Sequence, residues 1–97
     1  MASQLFVEHS KYLGIASLIS KGTRVLDIGC GGGQLGAALR EKECVVDGID
    51  IALDRLVFHK DYNMVWEGNV ENFDFNQDLG KYNIIVFSDI LIIYKTE

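Results

Sequence analysis

The 97-residue sequence has no proline and only two cysteines, Cys30 and Cys44. Two cysteines build neither a disulfide framework nor a zinc cluster, and a reduced, cytoplasmic setting is the expectation. Basic residues are scarce: nine Lys and Arg stand against fourteen Asp and Glu, a net charge of −5. A groove that tracks nucleic-acid phosphates by summed positive charge is therefore not expected. No apolar run approaches the roughly 20 residues needed to cross a bilayer, so no membrane partner is expected either. Met1-Ala2-Ser3-Gln4 lacks a positive region ahead of an apolar segment, so no secretory signal is read. What is present is ordinary globular composition, 48% hydrophobic and 24% charged, in a length that suits one domain over residues 1–97. Five of the ten glycines fall between Gly29 and Gly36, which makes them a local device.

The pattern predicts a helix over 4–20, with Ser3 as N-cap and Leu5, Tyr12, Ile15, Ala16, Leu18 and Ile19 on its inner face. Strands follow at 23–28, 44–49, weakly at 63–67, and at 82–88, where the apolar run has no alternation and suits a parallel strand covered on both faces. Helices are predicted over 34–43 and 53–59, the second with Leu53, Leu56 and Val57 inward, and a helix start over 89–94. Residues 70–81 read as polar and irregular. Alternating strands and helices predict an α/β, Rossmann-like three-layer sandwich with a parallel sheet.

Val25-Leu26-Asp27-Ile28-Gly29-Cys30-Gly31-Gly32-Gly33-Gln34-Leu35-Gly36 reads as strand, glycine turn, helix. Glycine belongs where φ is positive or where a ligand lies on the backbone, so this junction is a candidate site for part of a nucleotide or nucleoside cofactor. Gly31-x-Gly33-x-x-Gly36 fits the dinucleotide fingerprint, and Asp50 stands 19 residues after Gly31, near the position of a ribose-binding acid. On spacing alone an NAD-dependent oxidoreductase domain is an alternative. Asp27 points elsewhere, because a carboxylate there would repel a pyrophosphate and attract a cationic amino group.

Asp27, Gly29, Gly31 and Gly33 resemble motif I of class I S-adenosyl-L-methionine-dependent methyltransferases. Val46 to Ile51 is similar to the second motif of that family, Glu67 to Phe73 to the third and Tyr82 to Leu91 to the fourth. The resemblance covers residues 23–91. It implies the N-terminal, cofactor-binding part of a methyltransferase, with strand order 3-2-1-4 and a sheet apparently truncated relative to the seven strands of the family. It implies that Gly29, Cys30, Gly31 and Gly33 line the cofactor and that Asp27 meets its amino group. Asp50 would bind the ribose hydroxyls, Ile51 and Val70 would cover the two adenine faces, Asn69 would reach the adenine edge, and Ser88 would lie near the methionine part. Asn69 stands where similar proteins usually have an acid, and Ala52 where a capping Ser is common.

No general base or metal site is read from the sequence; Asp89 is the one polar candidate near the predicted site. The helix start beside Cys30 could lower its pKa, although similar proteins carry Cys there for fit. Cys44, Tyr12 and Trp66 read as packing, and His9 and His59 as surface. Glu67, Glu71, Asp74 and Asp78 read as a solvated loop. The methyl acceptor is not legible. Strand 82–88 is expected to be an exposed edge through which the chain could pair with itself or a partner. A non-catalytic cofactor-binding or interaction module is a further alternative to the enzyme.

Overall fold

The computed structural model describes residues 11–69, 71, 81–88 and 92–95. Ser3, His9, Val70, Asp74, Asp78 and Asp89 lie outside these residues. A helix over residues 11–17, α1, leads into β1 (Arg24–Ile28). The glycine loop and α2 (Gln34–Ala38) follow, then β2 (Val45–Asp50), β3 (Met64–Glu67), β4 (Ile84–Phe87) and β5 (Ile92–Lys95). The sheet order is β3-β2-β1-β4-β5. The first four strands run parallel, in the expected order 3-2-1-4. β5 runs antiparallel to β4, with Ile85 opposite Tyr94 and Phe87 opposite Ile92.

The helix expected to begin after Ser88 is therefore a strand where it is described. The apolar run around Ile92-Ile93 has no period that separates helix from strand, and a β-branched pair suits a pleated ladder. The expectation of an exposed edge at 82–88 is corrected by the same pairing, since β4 lies between β1 and β5.

Two clusters fill the faces of the sheet. On the α1 and α2 face, Ile15, Ala16, Ile19, Val25, Leu35, Leu39, Val46, Tyr62 and Val86 pack together with Cys30. On the other face Leu26, Ile28, Ile49, Tyr82 and Ile85 pack with Trp66 and Phe87. The division follows from strand alternation: Val25 and Asp27 point one way, Leu26 and Ile28 the other. Leu18, expected inward, is exposed, as is Val57. The last carbonyls around α1 are satisfied from outside the helix. The Lys42 ammonium donates to the Ala16 carbonyl at 2.5 Å and to the Ile19 carbonyl at 2.7 Å.

Two predicted helices are shorter than expected. The 34–43 segment is helical only to Ala38; a 3-10 turn over Arg40–Lys42 and a left-handed Glu43 (φ 56°) complete it. The 53–59 segment forms separate 3-10 turns at Leu53–Arg55 and His59–Asp61. The cause is tertiary. The N–H groups of Val57 and Phe58, which a helix would direct to carbonyls four residues back, both donate to the Gly32 carbonyl, at 3.0 and 3.1 Å.

Asp47 clasps three strands on the second face. Its Oδ1 accepts from Asn63 Nδ2 at 3.1 Å and from the Met64 N–H at 3.0 Å; its Oδ2 accepts from the Tyr82 hydroxyl at 2.8 Å. We predict that Asp47→Ala, which removes one acceptor from the buried Tyr82 hydroxyl and one from the Met64 N–H, lowers stability by about 1.5–3 kcal/mol. Urea unfolding checks this, and an unchanged midpoint would contradict it.

Candidate functional site

The glycine loop turns tightly between β1 and α2. Gly31 and Gly33 have φ of 53° and 90°, in the left-handed region that costs a Cβ-bearing residue about 1–2 kcal/mol. Its amides are turned inward. The N–H groups of Gly29 and Cys30 donate to the Ile49 carbonyl at 2.8 and 3.2 Å, and that of Gly33 to the Cys30 carbonyl at 2.8 Å. The Gly31 N–H donates to Asp50 Oδ2 at 2.8 Å. The Gly36 N–H donates to the Tyr62 hydroxyl oxygen at 3.1 Å.

Tyr62 is the residue that sequence reasoning missed. Its ring lies under the loop, where a Cβ on Gly36 would collide with it. A Cβ on Gly33 would come within 3.2 Å of the same ring, and one on Gly48 within 3.0 Å. Its hydroxyl donates to Asp27 Oδ2 at 2.7 Å. Ser88 Oγ donates to Asp27 Oδ1 at 2.5 Å. Asp27 is 0% exposed. Burial, then the negative Asp27 carboxylate and the bond to it, push the Tyr62 phenol far above its ordinary range, so it stays a donor at every working pH. A bidentate Arg40–Asp61 pair, both contacts at 3.0 Å, secures the turn that delivers Tyr62. A signal for this arrangement was present: Gly48 in the middle of a strand marks a close approach.

An open cleft of about 220 Å³ lies at the carboxyl ends of β1, β2 and β3, lined by Ile28, Gly29, Ile49, Asp50, Ile51, Arg55, Gly68 and Asn69. Open α/β sheets bind ligands at this end. Asp50 closes the inner wall. Its Oδ2 accepts from Gly31 N–H; its Oδ1 accepts from Ala52 N–H at 3.0 Å and from Arg55 at 3.2 Å. The Asp50 carboxylate thereby caps the turn at Ala52, where the sequence lacks a capping Ser. Burial acts to raise its pKa, but the Ala52 and Gly31 amides and the Arg55 guanidinium outweigh it and hold it below the usual 3.8. Ile51 is 72% exposed beside it. Asn69 is exposed on the rim, and its Oδ1 accepts from the Glu71 N–H at 2.9 Å.

Four of the sequence-predicted site residues, Gly29, Asp50, Ile51 and Asn69, line the cleft, and Gly31 joins it through its bond to Asp50. Asp27, Cys30, Gly33 and Ser88 lie behind it, buried. The Cys30 thiol is pushed up to about 12, by burial and then by Asp27 and Asp50; the helix start does not lower it. Among the described residues no group of three His, Cys, Asp or Glu is placed to hold a metal ion, and no helix is long and apolar enough to cross a membrane.

Solved structures share this fold. A TehB-like SAM-dependent methyltransferase from Corynebacterium glutamicum superposes with a TM-score of 0.58 at 21% identity, over 78% of this chain and 42% of that one. A cyclopropane-fatty-acyl-phospholipid synthase-like protein from Lactobacillus casei gives 0.56 at 27% identity, over 81% and 36%. YjhP from E. coli gives 0.53 at 18%, over 66% and 31%. The chain spans less than half the length of each. No curated protein matches it by sequence. The fold is thus that of the SAM-dependent methyltransferases. The family model described as methionine biosynthesis protein MetW matches residues 9–96, and the chain belongs to that family.

Tyr62→Phe should lower stability by about 1–3 kcal/mol, because the buried Asp27 carboxylate loses a donor. Gly36→Ala should cost about as much by overpacking against the ring, whereas Gly14→Ala in α1, with open space around it, should stabilise by about 0.5–1 kcal/mol. Denaturant melts that rank these variants otherwise would contradict the packing. Asp50 is depressed in the folded state, so its stabilisation is present above 3.8 and is lost as pH falls through its lower folded value. The stability gap between the parent and Asp50→Asn should be flat at neutral pH and narrow below about 3.8; a gap that widens on acidification would contradict the assignment.

Proposed function

We propose that this chain binds S-adenosyl-L-methionine in the cleft and serves as the cofactor-holding part of a methyltransferase whose acceptor is presented by other residues or a partner. The carrying observation is the Asp50 carboxylate at the end of β2, beside an exposed apolar Ile51 and under the rim residue Asn69. Asp50 is the acceptor for ribose hydroxyls, Ile51 offers an apolar face to adenine, and Asn69 offers an amide to its edge.

The residues present fit such a group. The cleft is open, its Asp50 carboxylate is held below the usual range, and Gly29 and Gly68 are part of its lining. The buried Asp27 carboxylate behind the glycine loop disfavours a pyrophosphate there and favours a cationic ligand. The description of the family as methionine biosynthesis proteins, and the SAM-dependent methyltransferase among the structural neighbours, support the same reading.

The chemistry supplied by the bound cofactor is transfer of an electrophilic methyl group from a sulfonium to an acceptor nucleophile. The contribution of this chain is positioning. Asp50 and Asn69 orient the nucleoside end, and the Tyr62–Asp27–Ser88 network fixes the loop behind it and places a buried negative charge on the side where a cationic ligand sits.

Calorimetric titration of the folded protein with S-adenosylhomocysteine, with NAD as control, tests this. Binding of the first and not the second is expected, with Asp50→Ala weakening it by about 1–3 kcal/mol. Binding of NAD alone, or of neither, would contradict the proposal.

A further inference from the structure

The acceptor positions of Asp50 are nearly full. A carboxylate has about four of them, two per oxygen. Gly31 N–H occupies one on Oδ2, and Ala52 N–H and Arg55 occupy both on Oδ1. A ribose diol that donates both hydroxyls places one on each oxygen. Oδ2 has a place for it, and Oδ1 has none while Arg55 remains.

The two donors on Oδ1 differ in how easily they leave. The Ala52 amide is backbone, fixed at the start of the Leu53–Arg55 turn. The Arg55 side chain is 65% exposed and its contact to Asp50 is 3.2 Å, at the long end of the hydrogen-bond range. The pair is open to solvent on the arginine side alone, the Asp50 side chain being 5% exposed, and the long stem lets the guanidinium move into solvent.

We propose that Arg55 is a displaceable occupant of the ribose position of Asp50: a positioning residue that aims the carboxylate across the cleft and leaves Oδ1 when a vicinal diol arrives. This deepens the S-adenosylmethionine reading and rests on it. The consequence is competitive. Arg55 and the ligand contend for one acceptor site, so the ion pair opposes binding, and whatever weakens the pair strengthens binding.

The test is titration with S-adenosylhomocysteine, which as a zwitterion has no net charge, of the parent and of Arg55→Met at low and high ionic strength. The variant is expected to bind roughly two- to fivefold more tightly at low salt, the scale of a pair open to solvent on one side. The affinity of the parent is expected to rise with salt toward that of the variant as the pair is screened, while that of the variant changes little. A merely structural role for Arg55 would not produce this convergence. Equal or weaker binding by Arg55→Met would overturn the proposal and leave the cofactor reading standing. So would a parent affinity that salt leaves unmoved, a measurement that needs no variant. Failure of both folded proteins to bind would overturn the cofactor reading, and the proposal with it.

Discussion

The bond from the Gly31 amide to the Asp50 carboxylate ties the two halves of the site together. It joins the loop after β1 to the end of β2 at 2.8 Å. The same carboxylate caps the next turn through Ala52 and holds Arg55. The wall of the cleft, the charge at its centre and the start of the chain's return to β3 all hang on that group. Buried and accepting charge-assisted bonds, it is of the kind whose removal costs more than an average contact.

Behind this wall the glycine loop serves a second purpose. Gly33, Gly36 and Gly48 lack a Cβ where the Tyr62 ring lies, and the hydroxyl of that ring links the Gly36 amide to Asp27. Glycines of this sort are usually read as room for a ligand. Here Gly29 and Gly31 face or border the cleft, while Gly33 and Gly36 accommodate an internal side chain. The Asp27 charge is satisfied by Tyr62 and Ser88 and sits wholly out of solvent. It lies behind the cleft and is not part of its lining.

Much of this was legible in the sequence, for identifiable reasons. The short apolar segments at 23–28 and 44–49 and the unalternating run at 82–88 marked strands, the last because a parallel strand covered on both faces needs no alternation. Asp50 stood out because glycine spacing and an acid about twenty residues on form a local signature. Tyr62 was not legible as the partner, since Asp27 and Gly36 lie 35 and 26 residues away; Gly48 within a strand signalled a close approach without saying of what. The 53–59 helix failed for a related reason: the Gly32 carbonyl captures the amides of Val57 and Phe58, a tertiary bond that overrides local periodicity. β5 was missed because a short apolar stretch after Ser88 suits helix and strand alike, and only its pairing with β4 decides.

The most direct test of the central claim is an amide NMR map of the labelled protein titrated with S-adenosylhomocysteine. The account predicts shifts concentrated at Gly29, Asp50, Ile51, Gly68 and Asn69, the backbone of the cleft, with α1 unmoved. Shifts centred on another surface, or a spectrum that the ligand leaves unchanged, would contradict it.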